Sequence, residues 1–158
     1  KIADGSVKLH LSDQVVDDIV SESLRHIDRR SVEHHITVDC GDEPLLVRVD
    51  AGLIMQVLIN LVNNAVKYTP AGSNIRITAI RRGNAAEICV SDNGPGIPEG
   101  EQGAIFGRFY RGKAVRDQEG LGIGLYLSRE VAAREGGYIR LSSSPGQGSR
   151  FSLYLPKE

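Results

Sequence analysis

The sequence predicts an α+β fold, a two-layer sandwich in which about three helices cover one face of a mixed β-sheet. Apolar residues recur at helical spacing in two stretches, 13–30 and 51–68, and a third helix is read at 121–135. Between and after these helices, short runs alternate apolar and polar residues, as half-buried strands do. A chain of 158 residues is long enough for one domain built this way around its own core, so residues 1–158 are expected to form a single domain.

Composition supports a folded domain and excludes several classes. With 41% hydrophobic and 25% charged residues, the chain sits near globular averages. The 19 basic residues nearly balance the 20 acidic ones. The whole molecule therefore has no pull toward nucleic acid or an anionic membrane surface, and any phosphate affinity is local. Cys40 and Cys89 belong to no CxxC pair and lie near no metal-spaced histidine. That pattern argues against a disulfide or zinc site, fits a reducing compartment, and leaves both thiols as expected packing residues. No apolar run approaches the roughly 20 residues that span a bilayer. No signal segment opens the chain, and a start on Lys1 fits a piece of a longer protein.

Taken in order, residues 7–11 read as a short extended run. Ser12 or Asp13 can cap the first helix, which buries Val15, Val16, Ile19, Val20, Leu24 and Ile27. Ile36, Val38 and Cys40 mark a half-buried strand, residues 41–44 a turn, and residues 45–49 a second short strand. The second helix stops before Thr69-Pro70-Ala71-Gly72. Strands at 74–80 and 87–92 flank a turn at 82–84. Residues 93–120 are rich in glycine and charge; so long a loop inside a domain is usually functional or mobile. After the third helix, strands at 138–142 and 150–155 are joined by Ser144-Pro145-Gly146.

Three segments carry candidate chemistry. In the second helix, Ile54, Val57, Leu58, Leu61, Val62 and Ala65 form the core stripe. Gln56, Asn60, Asn64 and Lys67 line up on the opposite side. Such a stripe is ordinarily a solvated face. Here it contains asparagines, each a poorer helix former than Glu or Lys by a few tenths of a kcal/mol, roughly. Amide oxygens can join a magnesium shell, and an ammonium one turn on can meet phosphate. Next, Ile88, Val90 and Asp92 point to one face of their strand, so Asp92 is expected as a partly buried carboxylate that needs donors. Gly94-Pro95-Gly96-Ile97-Pro98 then permits a tight turn and the close approach of a flat ligand, although Asp-Asn-Gly turns are common by themselves. Finally, residues 120–125 (GLGIGL) open the third helix, where backbone N–H groups and the helix dipole favour phosphate. The G-x-G-x-G spacing and the missing preceding strand argue against a dinucleotide fingerprint.

Five boxes occur in order: NLVNNAVKY at 60–68, DNGPGIP at 92–98, IFGRFYR at 105–111, GLGIGL at 120–125 and PGQGSRF at 145–151. This set resembles the N, G1, F, G2 and final glycine boxes of sensor histidine kinases, from about residue 45 onward. The stretches at 49–73 and 121–156 look most like the Kdp-type, potassium-responsive members. The resemblance implies the Bergerat ATP-binding sandwich, with ATP and Mg2+ bound. It implies that Asp92 meets the adenine amino group and that Asn64 coordinates magnesium, with Asn60 near the phosphates. Lys67 would contact phosphate and Tyr68 would pack near adenine or ribose. Gly94, Gly96 and Ile97 would shape the adenine pocket. Residues 99–119 would form an ATP lid anchored by Phe106 and Phe109, with Arg108 and Arg111 reaching phosphate. Gly120, Leu121, Gly122, Ile123, Gly124 and Leu125 would admit the phosphates. Ser149 stands where many relatives carry threonine and keeps the hydroxyl.

The implied reaction moves the γ-phosphoryl of ATP to a histidine imidazole. Catalysis of that kind is mostly positioning and charge neutralisation. A neutral imidazole needs no strong base. In hydrolysing relatives of the same fold a water-activating glutamate stands four residues before the magnesium asparagine; here that position is Asn60. None of His10, His26, His34 or His35 is followed by an acidic residue, as the family's acceptor is, and each is expected as a surface or strand-flanking residue. The acceptor and dimerisation helices are therefore expected upstream, with a response regulator as the onward partner and a homodimer in the full-length protein. This chain alone is expected to bind ATP without phosphorylating itself. By the same resemblance, it is expected as the cytoplasmic domain of a membrane-anchored bacterial protein, itself touching neither membrane nor nucleic acid. The alternatives are an anti-sigma-type serine kinase and a non-catalytic ATP-sensing module of the same fold.

Overall fold

A computed structural model describes residues 9–27, 33–67, 69–97 and 124–156. The element order is β1 (Ser12–Val15), α1 (Val16–Leu24), β2 (His35–Asp39), β3 (Leu46–Val49), α2 (Ala51–Lys67), β4 (Asn74–Arg82), β5 (Ala85–Asp92), α3 (Gly124–Arg134), β6 (Tyr138–Ser143) and β7 (Ser149–Pro156). The main sheet has five strands in the order β2-β4-β5-β7-β6, and β1 pairs with β3 in a separate two-stranded sheet. The β2–β4 pairing is parallel and the other pairings of the main sheet are antiparallel. The expected mixed sheet and helical layer are both present.

Helix α2 is the centre of the helical layer. Its start is held by Asp50, whose carbonyl accepts from the Ile54 N–H at 3.1 Å and whose Oδ1 accepts from the Leu53 N–H at 3.3 Å. All six residues of the expected apolar stripe are buried, together with Val66. They meet the inward residues of the sheet, among them Ile75, Ile77, Ile88, Val90, Phe151, Leu153 and Leu155. Each large apolar side chain contributes about 1.5–3 kcal/mol by leaving water.

The first helix departs from expectation. It begins only at Val16, because residues 12–15 are strand β1, paired from Ser12↔Val49 to Val15↔Leu46. Neither Ser12 nor Asp13 caps it; the N-cap is Val15, in extended backbone and with no capping side-chain bond. Asp13 instead binds Arg48 at 3.3 Å. A cap is worth about 1 kcal/mol, and a four-residue ladder against β3 outweighs it. Residues 9–11, expected as extended, lie outside any strand, and the helix ends at Leu24 rather than near 30.

The centre of the outer face of the sheet, along β5, is also covered. Glu87 and Cys89 point away from the helices yet are 3% and 1% exposed. Glu87 accepts from Arg82 Nε at 2.7 Å and from the Tyr154 hydroxyl at 2.9 Å. Arg150 reaches Cys89 Sγ at 3.2 Å, Tyr138 stacks on Tyr154 with centroids 4.6 Å apart, and the Arg140 guanidinium lies over both rings. Cys89 is buried and Cys40 half-buried, and both are free thiols.

Candidate nucleotide site

Asp92 is the last residue of β5 and lies between Ile75 of β4 and Ser149 of β7. Its inward parity with Ile88 and Val90 takes the carboxylate to the rim of the core, where it is half-buried. Burial pushes this carboxyl above its usual range; backbone N–H groups of Gly94 and Ser149 partly offset the shift. The Gly94 N–H donates to Oδ1 at 2.9 Å. A half-desolvated carboxyl acceptor suits a ligand able to donate a hydrogen bond.

Glycines let chain segments pack closely at the end of β5. Gly148 has φ +83°, and a Cβ there would run into the Asp92 carbonyl. Gly96 has φ +78°, and a Cβ there would run into the Ser144 carbonyl. A Cβ on Gly94 would come within 2.5 Å of Thr69 Cγ2. Three chain segments therefore close on one another at the end of β5, through positions where any larger residue collides.

Ser143 links these segments. Its Oγ accepts from the Ile97 N–H at 2.8 Å, donates to the Gly148 carbonyl at 2.9 Å, and lies 3.0 Å from Ser149 Oγ. Ile97 thus belongs to the wall of the site by its backbone, while its side chain packs against the core. Sequence motifs did not reveal Ser143. Its signal was the hairpin: counting back from Ser149 across Pro145-Gly146 places the two serines opposite each other.

On the helical side, Asn60, Asn64 and Lys67 are half-buried on α2. The Asn60 amide nitrogen donates to Ser128 Oγ of α3 at 3.3 Å, which leaves the carbonyl oxygen as the acceptor. The stripe expected as a solvated or ligand face is thus partly a helix–helix seam. Gly124 is the first residue of α3, so the last glycine of GLGIGL sits at a helix N-terminus. Leu125 packs against the core. Tyr68, Phe106, Arg108, Phe109, Arg111, Gly120, Leu121, Gly122, Ile123 and the expected lid at 99–119 lie outside the described residues. Among the described residues, no group of three His, Cys, Asp or Glu side chains is placed to hold a metal ion. A magnesium ion here would rest on amide, phosphate and water oxygens, a donor set that suits it.

This combination of sandwich, strand-end carboxylate and glycine cradle defines a nucleotide-binding domain, and the chain belongs to the family of histidine kinase-, DNA gyrase B- and HSP90-like ATPases, whose model matches residues 49–158. Individual relatives are sensor kinases. The chain is 41% identical over 157 residues to the sensor-like histidine kinase SenX3 of Mycobacterium tuberculosis, covering 93% of this chain and 37% of that protein. It is 31% identical over 160 residues to the sensor protein KdpD of Clostridium acetobutylicum, covering 100% of this chain and 18% of that protein. The solved mycobacterial sensor histidine kinase MprB superposes with a TM-score of 0.81 at 25% identity, over 93% of this chain and 97% of that one. The chain spans about a third of the length of the curated relatives it matches first, between 29% and 38%.

Proposed function

We propose that this chain is the ATP-binding catalytic domain of a two-component sensor histidine kinase, which transfers the γ-phosphoryl group of ATP to a histidine on an upstream domain. The observation that carries this reading is the half-buried Asp92 carboxylate at the end of β5, which accepts from the Gly94 N–H while Gly148 closes on the Asp92 backbone. Asp92 accepts a hydrogen bond from the adenine amino group. Gly94, Gly96 and Ile97 admit the flat base, and Ser149 adds a hydroxyl beside the carboxylate. Asn60, Asn64 and Lys67 of α2 face the phosphates, opposite the N-terminus of α3. Asn64 would hold a magnesium ion, which when bound would supply charge neutralisation on the phosphate oxygens. Arg108 and Arg111 add cationic donors from the lid at 99–119.

In the transfer, the bond from the γ-phosphorus to the bridging oxygen breaks, a bond to an imidazole nitrogen forms, and ADP leaves. Asn60 is no proton acceptor, and its amide is tied to Ser128, which suits an imidazole nucleophile better than an activated water. The relatives named above are sensor kinases, and this favours histidine transfer over an anti-sigma-type serine kinase. The partners proposed are the upstream dimerisation and acceptor helices, a second copy in the full-length protein, and a response regulator. No helix among the described residues is long and apolar enough to cross a membrane; a membrane anchor elsewhere and a cytoplasmic position for this domain are part of the proposal.

Calorimetric titration with a non-hydrolysable ATP analogue, with and without magnesium, tests the site. The native chain should bind adenine nucleotide in preference to guanine nucleotide. Asp92→Asn should lose roughly 1–3 kcal/mol of binding, and Asn64→Asp should mainly change the magnesium dependence. Acceptor helices supplied in trans should be labelled by the native chain. A folded chain that binds no nucleotide up to millimolar concentration refutes the reading; one that binds but labels nothing is a non-catalytic ATP sensor.

A further inference from the structure

We propose that His34, which lies outside every motif described above, is a positioning residue for the nucleotide site: it holds Thr69 against Gly94 and thereby fixes the turn beside the Asp92 carboxylate. The inference rests on the nucleotide-binding reading.

Thr69 lies just beyond α2, two residues after Lys67. Its Oγ1 donates to the Ala65 carbonyl at 2.7 Å. His34 Nε2 lies 2.9 Å from the same oxygen and 3.3 Å from the Thr69 carbonyl. On its other side, Thr69 Cγ2 faces Gly94, where a Cβ would come within 2.5 Å. The Gly94 N–H in turn donates to Asp92 Oδ1 at 2.9 Å. A short path of direct contacts therefore runs from the His34 ring through Thr69 and Gly94 to the carboxylate.

The partners decide what His34 contributes. Thr69 Oγ1 has one proton, directed at Ala65, and a carbonyl oxygen only accepts. Each of these two Thr69 oxygens acts as an acceptor toward Nε2, so Nε2 carries a hydrogen. The position thus requires a donor, which a bulky or aromatic side chain alone does not supply. The backbone on either side makes its own bonds: Gly72 N–H donates to the Glu33 carbonyl at 2.6 Å and His35 N–H to the Ser73 carbonyl at 2.9 Å. These hold residues 33–35 to residues 69–73 when the imidazole is replaced, so loss of the ring should loosen Thr69 without unfolding the chain.

Three variants of the 158-residue chain test this with a non-hydrolysable ATP analogue as probe, read by calorimetry and by the Gly94 amide resonance. His34→Phe keeps a ring and removes the donor; it should weaken binding roughly 3- to 10-fold, the worth of one hydrogen bond, and shift the Gly94 resonance. His34→Gln places an amide N–H near the former Nε2 and should restore most of both. Asp92→Asn is the control that reports the pocket itself. If Asp92→Asn weakens binding while His34→Phe binds like the native chain, the proposal fails alone. If His34→Gln is as weak as His34→Phe, packing rather than donation is responsible and the proposal also fails. If the native chain binds no nucleotide, the functional reading fails and this inference with it.

Discussion

Replacing Glu87 by Gln should lower stability at neutral pH and flatten its decline in acid. Burial alone would push the Glu87 carboxyl up, but hydrogen bonds from Arg82, Tyr154 and Cys89 outweigh it and hold the group at about 2, against an ordinary 4.5. The folded value is depressed, so the stabilisation is fully present above the ordinary value and is lost as pH falls from about 4.5 toward 2. At 1.36 kcal/mol per unit the gap corresponds to about 3 kcal/mol. The cover over the carboxylate is one side chain thick, with the Arg82 side chain 58% exposed, so water screens the ion pair. Gln also retains part of the hydrogen bonding; the expected loss is therefore about 1–3 kcal/mol. The assay is urea unfolding of both chains, followed by circular dichroism at a series of pH values between neutrality and the acid limit. Glu87→Gln should start lower and converge on the native chain in acid. Two curves that decline in parallel below pH 4.5 would refute the assignment of the acid-sensitive stability to this carboxylate.

Two further outcomes are expected. Gly148→Ala puts a Cβ into the Asp92 carbonyl at φ +83°; it should cost at least about 2 kcal/mol in thermal or chemical unfolding and remove nucleotide binding. Asp92 carries a carboxyl raised above its ordinary 3.8. On acidification it gains its proton earlier than an exposed aspartate and ceases to be an anionic acceptor. Nucleotide affinity should therefore begin to fall above pH 3.8 in a calorimetric pH series, while the weaker binding of Asp92→Asn should not show that step.

Much of this arrangement was legible from local pattern. The apolar stripe of α2 and the alternation of Ile88, Val90 and Asp92 are periodic signals that need no tertiary knowledge, and each landed on the face expected. The start of α1 was not legible, because Ser12 and Asp13 form a sound local cap signal that strand pairing with residues 46–49 overrides. Val38 is 46% exposed despite its alternating context, because β2 is an edge strand and half-covers its inward residues. The burial of Glu87 has no sequence signature either: arginines and tyrosines from other strands cover it, and those partners lie as far as Tyr154. For the site, Asp92, Gly94, Gly96 and Ser149 lie near one another at the end of β5, while Gly120 and Gly122 lie outside the described residues. Ser143, and the contacts of Thr69 and His34 beside Gly94, had no local signal because each acts across a hairpin or between distant segments. The residues expected to meet phosphate from the lid lie outside the described part of the chain.

The place of β7 has a consequence for how the protein is made. This strand is inserted between β5 and β6, not added at an edge. During synthesis, β5 can pair with β4 well before residues 149–156 leave the ribosome, and its other edge stays open until they do. Asp92 meanwhile lacks the Ser149 amide, and Gly148 is not yet there to close over its backbone. The proposed base-recognition corner therefore cannot form before β7 has emerged, and a nascent chain that stalls short of β7 exposes an unpaired, apolar strand edge of the kind that chaperones shield.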